Sequence, residues 1–115
     1  PIERGTGHAK YIGFRNLGQT RLVTVTEISH IKASGRYSEV VLTNGETRLH
    51  EKLLKQLLPL LPEQFQRIHK SYIVNLDFSD TLLSHAGGRY ELVLRDGVVL
   101  PVGRKYLTLL RARMP

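Results

Sequence analysis

Apolar and polar residues alternate in short runs along most of the chain. Residues 21–31, RLVTVTEISHI, place Leu22, Val23, Val25, Ile28 and Ile31 in partial alternation, which predicts strands. Residues 32–39, KASGRYSE, interrupt that pattern at Ser34-Gly35 and read as a loop. Residues 40–50, VVLTNGETRLH, read as a hairpin of two short strands. Asn44-Gly45 there suits the positive φ of a type I′ turn. The pattern then switches to helical spacing in EKLLKQLLPLLP, residues 51–62. Leu53, Leu54, Leu57, Leu58 and Leu61 form one apolar stripe, with Lys52, Lys55 and Gln56 on the opposite face. Glu51 sits in the first turn, where the helix dipole favours an anion. Pro59 lacks an N–H for the helix ladder, so the regular helix should end near it, with Pro62 marking the exit.

The second half returns to a period of two. FQRIHKSYIVNL, residues 65–76, alternates, yet its centre is Arg67, His69, Lys70 and Ser71, followed by a run of large apolar residues. Such a segment is either a strand edge facing water or a loop shaped to touch an anion. NLDFSD, residues 75–80, reads as a turn in which Asp and Ser bond their own backbone. Gly87-Gly88 marks another turn. RYELVLRDGVVLPV, residues 89–102, sets Tyr90, Leu92 and Leu94 on one face and Arg89, Glu91 and Arg95 on the other. Asp96-Gly97 turns it back onto Val98, Leu100 and Val102. RKYLTLLRARM, residues 104–114, puts Tyr106, Leu107, Leu110 and Met114 at the spacing of a short C-terminal helix.

The predicted class is therefore α+β and β-rich: small antiparallel sheets, one Leu-rich helix and a short C-terminal helix. Residues 1–10, with two Gly, a Pro and mixed charge, read as a linker or tail, and 11–115 as the domain.

A net charge of +7 and an isoelectric point near 10.1 favour polyanionic partners. With no cysteine, thiolate zinc sites, disulfides and cysteine nucleophiles are excluded. No apolar run approaches the roughly 20 residues that span a bilayer, and a cytoplasmic setting is expected. Enzymatic chemistry finds no foothold in the motifs. Asp77 and Asp80 are close in sequence but belong to the turn-like NLDFSD. The five histidines, His8, His30, His50, His69 and His85, show no close metal-ligand spacing, so no metal or cofactor is expected. Nucleophile-elbow, phosphate-loop and dinucleotide fingerprints are lacking.

Three loop-like places combine donors with turn residues: Ser34-Gly35-Arg36-Tyr37, Arg67 to Ser71, and Gly103-Arg104-Lys105. Basic side chains there would reach phosphates and base edges. They would equally serve as solvated charges that protect sheet edges. The Leu-rich helix suits core packing better than groove reading, and the few aromatics argue against an RNA-stacking sheet.

Phe65-Gln-Arg-Ile-His-Lys-Ser-Tyr-Ile-Val-Asn-Leu76 closely resembles the signature of LytTR DNA-binding domains. Ile28-Ser-His-Ile-Lys-Ala-Ser-Gly-Arg-Tyr37 resembles a second stretch of that family. The likeness continues through the Asn44-Gly45 hairpin, the Leu-rich helix and Asp96-Gly97 to Leu100-Pro-Val-Gly-Arg-Lys-Tyr106, covering roughly residues 11–112. It implies binding of double-stranded DNA by loops entering successive major grooves, on paired direct repeats that two copies can share. It also implies a bacterial response regulator with a receiver domain upstream. Carried over, Tyr37, Lys70 and Arg104 are the expected base contacts. Arg36, Arg67, His69, Ser71 and Lys105 are the expected backbone contacts, with His69 also a candidate for orienting its loop. The family commonly has Ser before the last Arg; Gly103 here offers no hydroxyl. Asn75 is expected as a buried amide bonding loop backbone. The alternative reading is an interaction or dimerisation module whose basic surface meets an acidic partner.

Overall fold

The computed structural model describes residues 9–114. For residues 1–8 the expected linker falls outside the described residues. Ala9 and Lys10 are tied to the fold: Ala9 N–H donates to Leu60 O, and Lys10 O accepts from Val25 N–H.

Among the described residues, ten strands and two α-helices follow one another: β1 (Tyr11–Asn16), β2 (Gln19–Thr24), β3 (Ile28–Ser34), β4 (Tyr37–Leu42), β5 (Thr47–His50), α1 (Leu54–Leu57), β6 (Phe65–His69), β7 (Tyr72–Asn75), β8 (Ser79–His85), β9 (Arg89–Leu94), β10 (Val99–Val102) and α2 (Arg104–Ala112). Every strand pairing is antiparallel, as the expected class required. The central sheet has the order β5-β4-β3-β7-β6; β1-β2 and β10-β9-β8 form two smaller sheets.

The apolar run after Ser71 now has its reason. Successive strand residues point to opposite faces, and both faces of β7 are covered. Ile73 joins Ile12, Val25, Ile31, Leu57 and Phe65 in one core, beneath the β1–β2 hairpin and α1. Its neighbour Val74 joins Ile68, Leu92, Leu94, Leu100 and Leu110 in the other, beneath β8–β10 and α2. A strand buried on both faces reads as a continuous apolar run instead of an alternation.

Several local expectations are corrected. The Leu-rich helix is a single α-turn, Leu54–Leu57, continued by a 3-10 turn over Leu58–Leu60. Side chains hold the approach to it non-helical, a bend at Lys52 followed by an extended Leu53. Lys52 N–H donates to His50 Nδ1 at 3.0 Å, Ser38 Oγ donates to Lys52 O at 2.7 Å, and Leu53 N–H donates to Gln56 Oε1 at 2.8 Å. Pro59 limits the other end. Leu54, Leu57 and Leu61 are buried, whereas Leu53 is exposed.

The loop expected at 32–39 is mostly strand, because β3 and β4 continue to Ser34 and Tyr37 around Gly35-Arg36. Gly35, at φ 60°, supplies the positive φ that a tight two-residue hairpin needs at its first position. The Asn44-Gly45 turn is not type I′: of the two, only Gly45 has positive φ. Gly45 N–H donates to Leu42 O, and Asn44 Oδ1 accepts from Glu46 N–H, which gives a three-residue turn closed by a left-handed glycine. Asp96-Gly97 repeats the arrangement bond for bond. The stretch YIGFRN, which drew no expectation, forms β1 and pairs with β2 across Leu17-Gly18, both at positive φ.

Candidate nucleic-acid interface

The three basic places that are separate in sequence meet at one end of the central sheet. Ser34 pairs with Tyr37 and Lys32 with Tyr72, so the β3–β4 and β6–β7 turns lie side by side. Ala33 N–H donates to Ser71 O at 2.9 Å and ties one turn to the other. Gly103 N–H donates to Ile68 O at 2.7 Å, which brings the start of α2 to the same place. The β8–β9 turn arrives there too: Arg104 Nη2 lies 3.4 Å from Gly87 O, a loose contact. Its glycines, both at positive φ, leave room for the guanidinium.

Charge is unevenly spread along the same axis. Arg36, Lys70, Arg104 and Lys105 are exposed at this end. Glu27, Glu46, Asp77, Asp80 and Asp96 sit at or beside the turns of the opposite end, where Thr43 N–H meets Glu27 O and Arg95 N–H meets Phe78 O. Glu39, opposite Lys32, and Glu91, bonded to His85, lie nearer the basic end, so the positive excess there rests on the four exposed cations.

The expected site residues divide into two groups by what they touch. Tyr37, Arg36, Lys70, Arg104 and Lys105 present exposed side chains. Arg67 and His69 are half-buried and turned onto their own loop. Arg67 Nε donates to His69 O at 2.9 Å, and Nη2 donates to Lys70 O at 2.6 Å. Its guanidinium carbon lies 5.9 Å from the Tyr106 ring centroid, within cation–π reach. Ser71 N–H donates to His69 Nδ1 at 3.0 Å, so the neutral ring carries its proton on Nε2. Burial, followed by the neighbouring Lys70 and Arg67 cations, lowers the His69 pKa from its ordinary value. Ser71 is half-buried between these groups and β3.

Gly103 matters for packing. A Cβ placed there would stand 3.1 Å from Tyr106 Cδ2 and 3.8 Å from His69 Cα. The bare glycine lets the start of α2 sit against the Lys70 loop. Tyr106 is then shared by Arg67 and Lys105, whose Nζ lies 5.4 Å from the ring centroid.

The turn NLDFSD behaves as expected of Asn75. Its buried amide donates from Nδ2 to Ile28 O at 2.9 Å and accepts at Oδ1 from Asp77 N–H at 3.0 Å. This pins the far end of β7 to β3. Sequence reasoning missed Lys55, placed on a solvent face; it borders the same depression as Tyr37 and Lys70. It also missed the Gly87-Gly88 turn as a neighbour of Arg104. In the sequence, the sole hint of Lys55 was its place on the polar face of α1. Among the described residues, no group of three or more His, Asp or Glu side chains is arranged to hold a metal ion. No helix among them is long and apolar enough to cross a membrane.

A β-rich fold that gathers cationic hairpin tips at one end matches a known class of DNA-binding domain. The sequence profile of the LytTr DNA-binding domain family matches residues 18–114, and the chain belongs to that family. Among its relatives is the transcriptional regulatory protein BtsR of Escherichia coli K12, 31% identical over 107 residues, which are 89% of this chain and 42% of BtsR. A response regulatory protein of Vibrio cholerae is 35% identical over 91 residues, 75% of this chain and 34% of that protein. The CO-responsive transcriptional regulator RcoM of Rhodospirillum rubrum is 32% identical over 97 residues, 83% of this chain and 41% of RcoM. The chain thus spans less than half the length of these relatives. Among solved structures, the LytTr DNA-binding domain of a Bacillus cereus response regulator superposes with a TM-score of 0.81 at 20% identity. That match covers 92% of this chain and 97% of the other, and it shows the shared fold.

Proposed function

We propose that this domain recognises double-stranded DNA sequence-specifically by setting its hairpin and helix-start tips into successive major grooves. Tyr37, Lys70 and Arg104 read base edges; Arg at such a tip bonds guanine O6 and N7 bidentately. Arg36, Ser71 and Lys105 hold backbone phosphates, and His69 adds its Nε2–H. Arg67 acts as a positioning residue, because both carbonyls flanking Lys70 are bound by its guanidinium. The observation that carries the reading is the gathering of three basic tips at one end, through the Ala33–Ser71 and Gly103–Ile68 backbone bonds. Loops on a rigid frame are where recognition residues belong.

In the full-length protein the domain serves as the output of a cytoplasmic bacterial response regulator, downstream of a receiver domain. Its targets are paired direct repeats occupied by two copies. The relatives that carry regulatory names support this setting.

Selection from a library of random duplexes tests the proposal. Enrichment of a short motif, in two copies about one helical turn apart, is the expected result. Salt-sensitive binding with no enriched motif would leave only a basic surface and remove the base-reading roles.

A further inference from the structure

A shallow depression of about 200 Å³ lies beside the tips. Ala33, Tyr37, Lys70 and Arg67 line it from the two hairpins, and Leu53, Leu54 and Lys55 line it from the start of α1 and the residue before it. No acid is among its lining residues. Arg67 has its donors on His69 O and Lys70 O. Lys55 and Lys70 are exposed and have no ion pair among the described residues. Cations brought to one depression without a counter-charge repel each other, and an anion between them removes that repulsion.

The backbone that carries Lys55 is held in place. Ser38, next to Tyr37, donates from Oγ to Lys52 O. His50 Nδ1 and Gln56 Oε1 fix the two N–H groups that follow, those of Lys52 and Leu53. Buried Leu54 and Leu57 anchor the turn on either side of Lys55. The start of α1 therefore keeps its distance to the Tyr37 hairpin tip.

We propose that this depression is an anion subsite that takes a backbone phosphate of the bound DNA, with Lys55 Nζ as its donor on the α1 side. The subsite rests on the DNA-binding reading above and extends the contact surface from loops to α1. It adds affinity without sequence preference, because a phosphate carries no base identity.

The test is a salt series, about 50 to 200 mM, with the whole chain, its Lys55→Ala, Lys55→Arg and Lys52→Ala variants, and both a selected and a random duplex. Each neutralised phosphate contributes about 0.9 to the log–log slope. Lys55→Ala should flatten the slope by about that amount on both duplexes. The advantage of the unaltered chain should then shrink about 3.5-fold across the series. Lys55→Arg should restore the slope. Lys52→Ala, which faces the groove between β1 and α1 instead, should leave it unchanged. Equal thermal unfolding of all variants would establish that folding is not the cause.

An unchanged slope in Lys55→Ala, with the unaltered chain still steep, would overturn the subsite alone. The same flattening in Lys52→Ala would overturn it as well, since diffuse charge would then be the cause. A flat response of the unaltered chain would overturn the DNA reading itself. Inorganic phosphate, exchanged for chloride at constant ionic strength and followed by the amide resonances of Tyr37 and Lys55, separates the two sources of the anion. Saturation by free phosphate, without a Lys55 effect on the DNA slope, would make this a free-anion site and overturn the proposal.

Discussion

Arg67 gives the sharpest separation between touching DNA and shaping what touches it. Its guanidinium donates to His69 O at 2.9 Å and to Lys70 O at 2.6 Å, so it closes the loop that presents Lys70. A hydrogen bond from a charged donor contributes roughly 1.5–3 kcal/mol when sheltered. Arg67 is half-buried and the Lys70 contact is exposed, so screening brings the pair together to about 2 kcal/mol. Arg67→Met keeps the aliphatic stem near Tyr106 and removes both bonds. If the free loop then samples other shapes, up to about 2 kcal/mol of ordering moves into the binding step, a factor of about 30. Fluorescence anisotropy on a selected and a random duplex reads this out across a salt series. The selected duplex should lose up to about 30-fold, and the random one little. The salt slope should stay as it was, because no phosphate contact is removed. Amide exchange at Lys70 and Ser71 should quicken. Equal losses on both duplexes with a slope flatter by about 0.9 would refute the reasoning and make Arg67 a phosphate contact.

Arg104→Ala should weaken the selected duplex by ~1–3 kcal/mol and random DNA much less, if it reads a guanine; comparable losses on both would make it a backbone contact instead. Asn75→Ala removes the partner of Ile28 O and the acceptor for Asp77 N–H inside the fold, and urea unfolding should show a loss of about 2–3 kcal/mol; a change under ~0.5 kcal/mol would remove the structural role assigned to that amide. Burial lowers the pKa of His30 below its ordinary value of 6.5, and lowers that of His50 in the same sense. The unfolded chain therefore takes up protons first as pH falls through 6.5, so stability is full above that value and declines below it. Melting temperature should fall between about pH 7.5 and about pH 5, and less so in His30→Gln; identical pH profiles for the two proteins would remove His30 as the source.

Much of the fold was legible because strand patterns and turn glycines are local. The hairpins at Asn44-Gly45 and Asp96-Gly97 were placed correctly, and so was the class. The turn type at Asn44-Gly45 was not legible, since a type I turn and a type I′ turn share the same dipeptide and differ in where the flanking strands place Thr43. Leu53 to Leu61 looked like a full helix, because the leucine spacing cannot show that Ser38 and His50 hold Lys52 in a bend just before an extended Leu53. The three basic tips were visible as residues, and the family resemblance named them. That Arg67 and His69 turn inward while Lys70 stays free depends on loop carbonyls and one N–H, and no side-chain pattern records those.

By itself, the order of residues determined the class, most of the strands and turns, the family and the cationic character, because each depends on near neighbours or on composition. Tertiary structure alone decided which face each charge occupies. Register between β3 and β7 and the docking of α2 on Ile68 O bring positions 36, 70 and 104 to one end, and the bond from Ser38 Oγ to Lys52 O sets position 55 beside them. The physical reason is distance along the chain: contacts between segments thirty or more residues apart arise from packing two cores on one sheet, and a local pattern carries no trace of them.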